Sequence, residues 1–504
     1  MERSLEMPSL EHRDGGTATN TATHADVPRR SVRQSERAFV KLSIWIVGYH
    51  RLLRWSKSAK SLTARARAKL DRQSQTVLRE RAGAIEALSR QTASNSSQHK
   101  TASSSLRPIS DMKIALLIPS FQMAKGGAEK VAGRLANTLA REGAEVHIFC
   151  RPPAARGPAY AVDPQIRIRH GIESDDDHVR PLIEDRFDLL IGFGMPGFYA
   201  RIAGIARLLG VPFVIQECNN PDYLEHALNG THLCRTSREA YWLRQAVMAH
   251  AAGVRLTVPD YAQSVEPDIS PFVHAFYNSL ARVRDANKTP AKKIICVGAM
   301  KNETKNGPAA VRAFCKFAGK HPGWSLHLYG DNQYQGELKK LEKQYPNAAI
   351  VDHGIENDVG AIYEDAYALL IPSFDEGLPN VVVEALSYGV PCIGFRDCNG
   401  VKHLILDQET GLLVDRSDPH ALEHALERLT DDRFRSELSE HAIRFARANL
   451  DVSNWEARWL DLVQKAASER NAAGRPSRPP AKDTANPNAE RWQTLLDRYL
   501  YFSS

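Results

Sequence analysis

The chain has 504 residues, 43% of them apolar, seven cysteines and a net charge of +7. This gives room for two or three domains with sizeable cores. The cysteines (Cys150, Cys218, Cys234, Cys296, Cys315, Cys392, Cys398) are odd in number, scattered and never in a C-x-x-C pair, and no secretory signal opens the sequence. That argues against structural zinc and for reduced thiols in a cytosolic compartment.

The charge is localised. Between Val27 and Arg81 fifteen Lys/Arg stand against three Asp/Glu, a local +12 that leaves about −5 for the rest. No zinc-finger spacing or RNP-like aromatic motif accompanies it, so nucleic acid is not the expected partner. Residues 1–35 are polar and expected to be disordered. Phe39–Leu53 (FVKLSIWIVGYHRLL) places Phe39, Leu42, Trp45, Ile46, Tyr49, Leu52 and Leu53 on one helical face, with Lys41, His50, Arg51 and Arg54 towards the other. It is too short and too interrupted by charge to span a bilayer. It fits an interfacial helix, giving peripheral membrane contact through residues 36–70, and fits equally a helix packed on the protein or on a partner. Residues 61–90 continue as a basic, Ala-rich helix, and Thr92–Ser105 reads as a flexible linker.

Order resumes at Met112. Lys113–Pro119 is a buried strand, followed by the loop SFQMAKGGAEK, a helix from about Glu129 to Arg141 and a strand at Ala144–Cys150, the start of a Rossmann-like unit. Gly126 and Gly127 let the backbone approach a ligand at the helix N-terminus. Further strands are expected at Asp188–Phe193 and Pro212–Gln216, with a helix at Tyr199–Leu209. Glu217-Cys218-Asn219-Asn220-Pro221 follows at a strand's C-terminal end, where α/β sheets place ligands. Asp175-Asp176-Asp177 could suggest a DxD metal site, but no hydrophobic strand leads into it, so a solvated charge cluster is the better reading.

A second unit starts with the strand Lys293–Val297, the loop Gly298–Gly307 and the helix Pro308–Ala318, then strands at Ser325–Gly330 and Ala349–Gly354. Next comes IPSFDEGLPNVVVEALSYGVPCIG (Ile371–Gly394), which closes the apolar run Ala366–Ile371. A helix is expected from Pro379 to about Tyr388, with Gly389 as its C′ residue and Pro391 beyond. The N–H groups of Leu378–Val382 and the positive end of the helix dipole form a site for an anion. Glu376 and Glu384 flank that site. Carboxylates beside a bound phosphate are unfavourable unless they face hydroxyl groups, so a ligand with phosphate in the middle and hydroxyls at both ends fits: a nucleotide-sugar. Taken alone, E-x7-E also describes a capped surface helix with two solvated glutamates. Strand Gly411–Val414 and helices at about Val401–Leu406, Pro419–Leu429, Phe434–Asn449 and Trp455–Ala466 complete the body, and Pro476–Pro487 reads as linker.

The E-x7-E spacing, the EGLPN loop, the preceding strand, GGAEK and Tyr277-Asn278-Ser279-Leu280 together resemble the retaining family 4 glycosyltransferases of GT-B architecture, over roughly residues 112–470. The resemblance implies an α/β fold of two Rossmann-like domains facing across a cleft. Residues 1–111 are then a basic N-terminal extension, 112–285 the acceptor domain, 286–445 the nucleotide-sugar domain, 446–470 a helix crossing back to the first domain, and 471–504 linker and tail. Lys305-Asn306 matches the family lysine that holds the leaving diphosphate, while the usual arginine position holds Ala299, with Lys301 as a substitute. Glu376 and Lys305 are the implied catalytic pair, Glu376 on hydroxyls of the transferred sugar and Glu384 on the ribose. Gly377, Leu378, Pro379, Asn380, Gly298, Ser373, Gly126 and Gly127 complete the donor site. Many relatives carry a histidine where this chain has ECNNP, which leaves Glu217 and Asn219 as acceptor-side candidates. The implied function is retaining, metal-independent transfer of a hexosyl or N-acetylhexosaminyl group, without a cofactor. The donor is a UDP- or GDP-sugar and the acceptor a saccharide or lipid-linked saccharide in polysaccharide or glycolipid synthesis. Two alternatives share the fold: a non-catalytic nucleotide-sugar-binding membrane scaffold and a sugar-nucleotide epimerase.

Overall fold

A computed structural model describes residues 106–468, except 122–125, 151–159, 171–181, 183–184, 195, 223–236, 268, 270–272, 286–288, 299–302, 331–339, 342, 347 and 357. The basic segment with its membrane-helix reading, Asp175–Asp177, Ala299, Lys301 and the C-terminal tail lie outside the described residues.

Two all-parallel sheets organise the rest. The first contains β1 (Lys113–Leu117), β2 (Glu145–Cys150), β3 (Arg167–His170), β4 (Leu189–Gly194), β5 (Phe213–Glu217), β6 (Gly253–Leu256) and β7 (Val273–Ala275), in the order β3-β2-β1-β4-β5-β6-β7. The second contains β8 (Lys293–Val297), β9 (Ser325–Tyr329), β10 (Ala349–Gly354), β11 (Ala368–Ile371), β12 (Cys392–Phe395) and β13 (Gly411–Val414), in the order β10-β9-β8-β11-β12-β13. Parallel strands are covered on both faces, so they read as unbroken apolar runs. ALLI of β11 is buried throughout, as is IALL of β1. Each such side chain contributes about 1.5–3 kcal/mol through burial.

Helices flank the sheets: α1 (Gly127–Arg141), α2 (Pro196–Leu209), α3 (Ser237–His250), α4 (Gly307–Lys320), α5 (Val359–Tyr363), α6 (Asn380–Ser387), α7 (Asn399–Lys402), α8 (Ala421–Leu429), α9 (Asp432–Asn449) and α10 (Val452–Ser468). In α1 the buried Val131, Leu135, Ala136 and Leu139 lie on one stripe against the first sheet. The terminal helix α10 leaves the second half and packs into the first: Trp455 and Trp459 sit in one core with α1, β1 and β4, and Trp459 meets Phe276 edge-on at 6.2 Å. Among the described residues no helix is long and apolar enough to cross a membrane.

The strand order places two switch points, between β1 and β4 and between β8 and β11, where adjacent strands send their connections in opposite directions. Ligands of open α/β sheets bind outside the carboxyl ends of strands at such points. The glycine loop follows β1, the Lys305 loop follows β8 and the EGLPN loop follows β11. All three sequence motifs therefore converge on the two switch points.

Boundaries differ from the sequence expectation in instructive places. The helix expected from Pro379 starts at Asn380, with Pro379 as an extended N-cap at φ −73°, ψ 100°. Strand β5 runs one residue further, to Glu217. Strands β3, β6 and β7 (RIRH, GVRL, VHA) carry arginine or histidine inside and present no apolar run to read.

Candidate active site

The donor loop hangs from the buried end of β11. Its Ser373 is 2% exposed and donates from Oγ to Glu376 Oε1 at 2.8 Å. Lys305 closes the short 3-10 turn Glu303–Lys305 after β8, and its Nζ lies 2.6 and 2.7 Å from the two Glu376 oxygens. Asn306 follows in the left-handed region, at φ 50°. Asparagine is one of the few residues besides glycine that enters this region readily, which suits it to the position after the lysine. Gly298, at φ 146°, ends β8 and donates its amide to Tyr329 O at 2.8 Å. The Phe374 amide donates to Thr304 O at 2.8 Å, tying the donor loop to the lysine loop.

Helix α6 begins with no side chain capping it, which leaves the positive end of its dipole without a side-chain partner there. The expected anion site through Val382 is narrower than the sequence suggested. The Val382 amide donates to Pro379 O at 2.9 Å, so it turns into the helix. Leu378 packs in the core and Gly389 closes the helix at φ 68°, the C′ conformation its position predicts.

Glu384, 6% exposed, has both oxygens engaged. The Tyr363 hydroxyl donates to Oε2 at 3.0 Å from within the second half, and Lys130 of α1 meets Oε1 from the first. Other contacts reach the same loop from the first half. Asn380 Nδ2 donates to Gly127 O at 3.1 Å and its Oδ1 accepts from Asn278 Nδ2 at 2.8 Å. Tyr261 OH donates to Gly377 O at 2.8 Å and Asn220 Nδ2 to Asp375 Oδ1 at 2.9 Å. The donor loop and the glycine loop thus face each other across the cleft. Glu129, beside Gly126 at the start of α1, has its carboxyl pushed up to about 6 by burial.

Gly377 brings the backbones of the two halves close together. A Cβ there would press on the carbonyl of Cys218 and lie 2.7 Å from Asn219 Cα, both backbone atoms of the opposite half. Its φ is not in the left-handed region, so alanine suits the loop itself. Gly377→Ala is therefore expected to leave the thermal midpoint within a few degrees while lowering turnover about 100-fold, the scale of a misplacement of about 1 Å. Thermal unfolding beside a turnover assay checks this, and near-wild-type turnover contradicts it.

Of the two acceptor-side candidates, Asn219 lies on the cleft, its backbone against Gly377, but Glu217 requires correction. Its carboxylate is 1% exposed and bound bidentately by Arg244, at 2.8 Å to each oxygen. Arg244 also donates to Ser264 O and Oγ, each at 3.0 Å. A carboxylate so enclosed braces α3 against β5 and has no face for an acceptor. Sequence reasoning missed Lys130, Tyr363 and Asn278. Lys130 and Asn278 stand inside the quoted stretches GGAEK and Tyr277–Leu280, so motif membership was the available signal; Tyr363 had none. Among the described residues no group of three His, Cys, Asp or Glu side chains is placed to hold a metal ion.

Two parallel sheets with a helix returning from the second half to the first have the GT-B architecture. A family model described as "Glycosyl transferases group 1" matches residues 291–432, and one described as "Glycosyl transferase 4-like domain" matches residues 126–272. The chain belongs to this group 1, family 4-like class of glycosyltransferases, and its relatives include bacterial enzymes of polysaccharide and glycolipid synthesis. An α-1,4-N-acetyl-D-galactosaminyltransferase of Campylobacter jejuni, named for a PP-undecaprenol-linked saccharide, is 27% identical over 70% of this chain and 98% of its own length. An exopolysaccharide phosphotransferase of Streptomyces coelicolor is 31% identical over 34% of this chain, a match that spans only 19% of that relative. Anabaena HepE, solved with UDP-glucose, superposes with a TM-score of 0.54 at 14% identity, over 71% of this chain and all of that one. At that identity the likeness concerns the fold.

Proposed function

We propose that the protein transfers a hexosyl or N-acetylhexosaminyl group, with retention, from a UDP- or GDP-sugar to a saccharide or lipid-linked saccharide. The observation that carries this reading is the pairing of both donor-loop carboxylates with lysines, Glu376 with Lys305 and Glu384 with Lys130, on either side of the open N-terminus of α6. Such an arrangement offers cations and amides to a diphosphate and carboxylates to the hydroxyls at its two ends. The Campylobacter relative, matched over nearly its whole length, supports a lipid-linked acceptor.

The chemical difficulty is leaving-group departure, because the diphosphate gains negative charge as the glycosidic bond breaks. Lys305 and the first amides of α6, with the Gly126–Gly127 loop opposite, stabilise that charge in a preorganised way. Glu376 holds the transferred sugar and Glu384 the ribose. A front-face route, in which the departing phosphate helps deprotonate the acceptor hydroxyl, retains configuration without a protein nucleophile.

Charge stabilisation by lysine and amides needs no metal, so turnover is expected to survive EDTA. The full chain, incubated with a saccharide or PP-undecaprenol-linked acceptor and a panel of UDP-, GDP- and ADP-sugars, with and without EDTA, tests both points. Consumption of one donor at equal rates in the two arms is the expected result. Loss on chelation restored by Mn²⁺ contradicts metal independence, and no consumption of any donor contradicts transfer. We further place the enzyme in the cytoplasm, held peripherally at the membrane by the basic segment 36–70. Co-sedimentation with anionic vesicles, lost when that segment is deleted, is the corresponding measurement.

A further inference from the structure

One buried hydroxyl bears on the donor site and is not assigned by the reading above. Tyr363 ends the short helix α5 and is 0% exposed, packed at 5.8 Å from the ring of Tyr388. Its hydroxyl reaches Glu384 Oε2 at 3.0 Å and Val381 O at 3.2 Å. The single proton serves one of these at a time, and a carboxylate acceptor makes the stronger, charge-assisted bond. Glu384 itself sits on α6 with its side chain almost fully buried, so only the orientation of its carboxylate decides what it can offer the cleft. Tyr363 fixes Oε2 from inside the domain, and Oε1 is then the oxygen turned to the first half, where Lys130 meets it. A buried tyrosine with its ring packed is a rigid donor. A neighbouring core residue without a hydroxyl would leave the carboxylate free to rotate.

The geometry points to Tyr363 as the positioning residue for the donor ribose: it fixes the plane of the Glu384 carboxylate so that this group accepts from the ribose hydroxyls. The inference rests on the donor reading proposed above, in which Glu384 faces the ribose. It implies that Tyr363 touches no substrate, that its loss affects binding rather than the chemical step, and that the effect is confined to nucleotides carrying ribose hydroxyls.

The test compares binding of UDP and 2′,3′-dideoxy-UDP, and of GDP and 2′,3′-dideoxy-GDP, to the full chain by titration calorimetry. Wild-type protein is expected to prefer the ribose form of its nucleotide about tenfold, the scale of a hydrogen bond to a charged group. Tyr363→Phe is expected to reduce that preference to about threefold or less, with the dideoxy affinity nearly unchanged, and to raise the donor KM while leaving kcat within about twofold. Glu384→Asp, which withdraws the carboxylate from the tyrosine, is expected to lose the same preference. Adding Tyr363→Phe to it should cost nothing more, as required of two residues acting through one contact. If wild-type protein binds the ribose and dideoxyribose forms equally, the Glu384 reading itself fails. If wild type discriminates and folded Tyr363→Phe discriminates equally, or if the two substitutions are additive, Tyr363 has no positioning role. Should Tyr363→Phe not fold, Glu384→Asp retaining the full preference overturns the inference.

Discussion

Lys305→Ala and Glu376→Ala are each expected to lower kcat by about 10²–10³-fold, the effect of removing one preorganised electrostatic stabiliser. The two side chains form one unit: Lys305 Nζ bridges both Glu376 oxygens, and Ser373 fixes the carboxylate from below. In the proposed donor site, lysine supplies positive charge where the diphosphate departs and glutamate holds the sugar whose bond breaks, so both would act on the same transition state. The double variant should therefore lose far less than the product of the two single effects. Lys305→Ala opens no core, because Lys305 sits at the cleft rim with its side chain 29% exposed. Turnover on the true donor, measured beside thermal unfolding, checks this. Both variants turning over at near the wild-type rate while folded would place the chemistry elsewhere.

Breaking the Glu217–Arg244 pair should cost stability on a comparable scale. Arg244→Met strands a carboxylate that is 1% exposed, and loss of one partner of a buried pair costs about 3–5 kcal/mol. Replacing both residues by Met removes the stranded charge and is expected to restore most of that loss. Denaturant unfolding of the three variants and wild type gives the comparison, provided the transition of the first half is followed separately. A stable Arg244→Met protein that had lost only acceptor transfer would return Glu217 to the acceptor side and overturn its structural role.

Most of the fold was legible in the sequence because its strands are apolar on both faces. KIALL, ALLI and KIICV announce themselves, and glycine or proline marks their ends. Charge within hides some of the strands that escaped notice: Arg255, fully buried in β6, has its guanidinium taken up by Gln216 Oε1 at 3.0 Å and Phe276 O at 2.7 Å. No local pattern reveals that a distant glutamine and carbonyl will satisfy an arginine. The strand, loop and helix around Glu376 were legible because their residues are contiguous and glycine and proline mark the turns. Glu217 was misplaced for the opposite reason. Its position at a strand end was read correctly, but its partner Arg244 lies 27 residues away on α3, and only the packing shows that the carboxylate is consumed. Lys130 and Tyr363 likewise meet Glu384 from 254 and 21 residues away.

The measurement that bears most directly on the whole account is the anomeric configuration of the product. The full chain is incubated with an α-linked nucleotide-sugar that it consumes and with a saccharide or PP-undecaprenol-linked acceptor, and the product is read by NMR through the coupling at the anomeric carbon. The account predicts a new α-glycosidic bond, with nucleoside diphosphate released in equal amount. A β-linked product would contradict the retaining front-face mechanism. Nucleotide-sugar returned epimerised, or bound and left intact, would contradict transfer altogether.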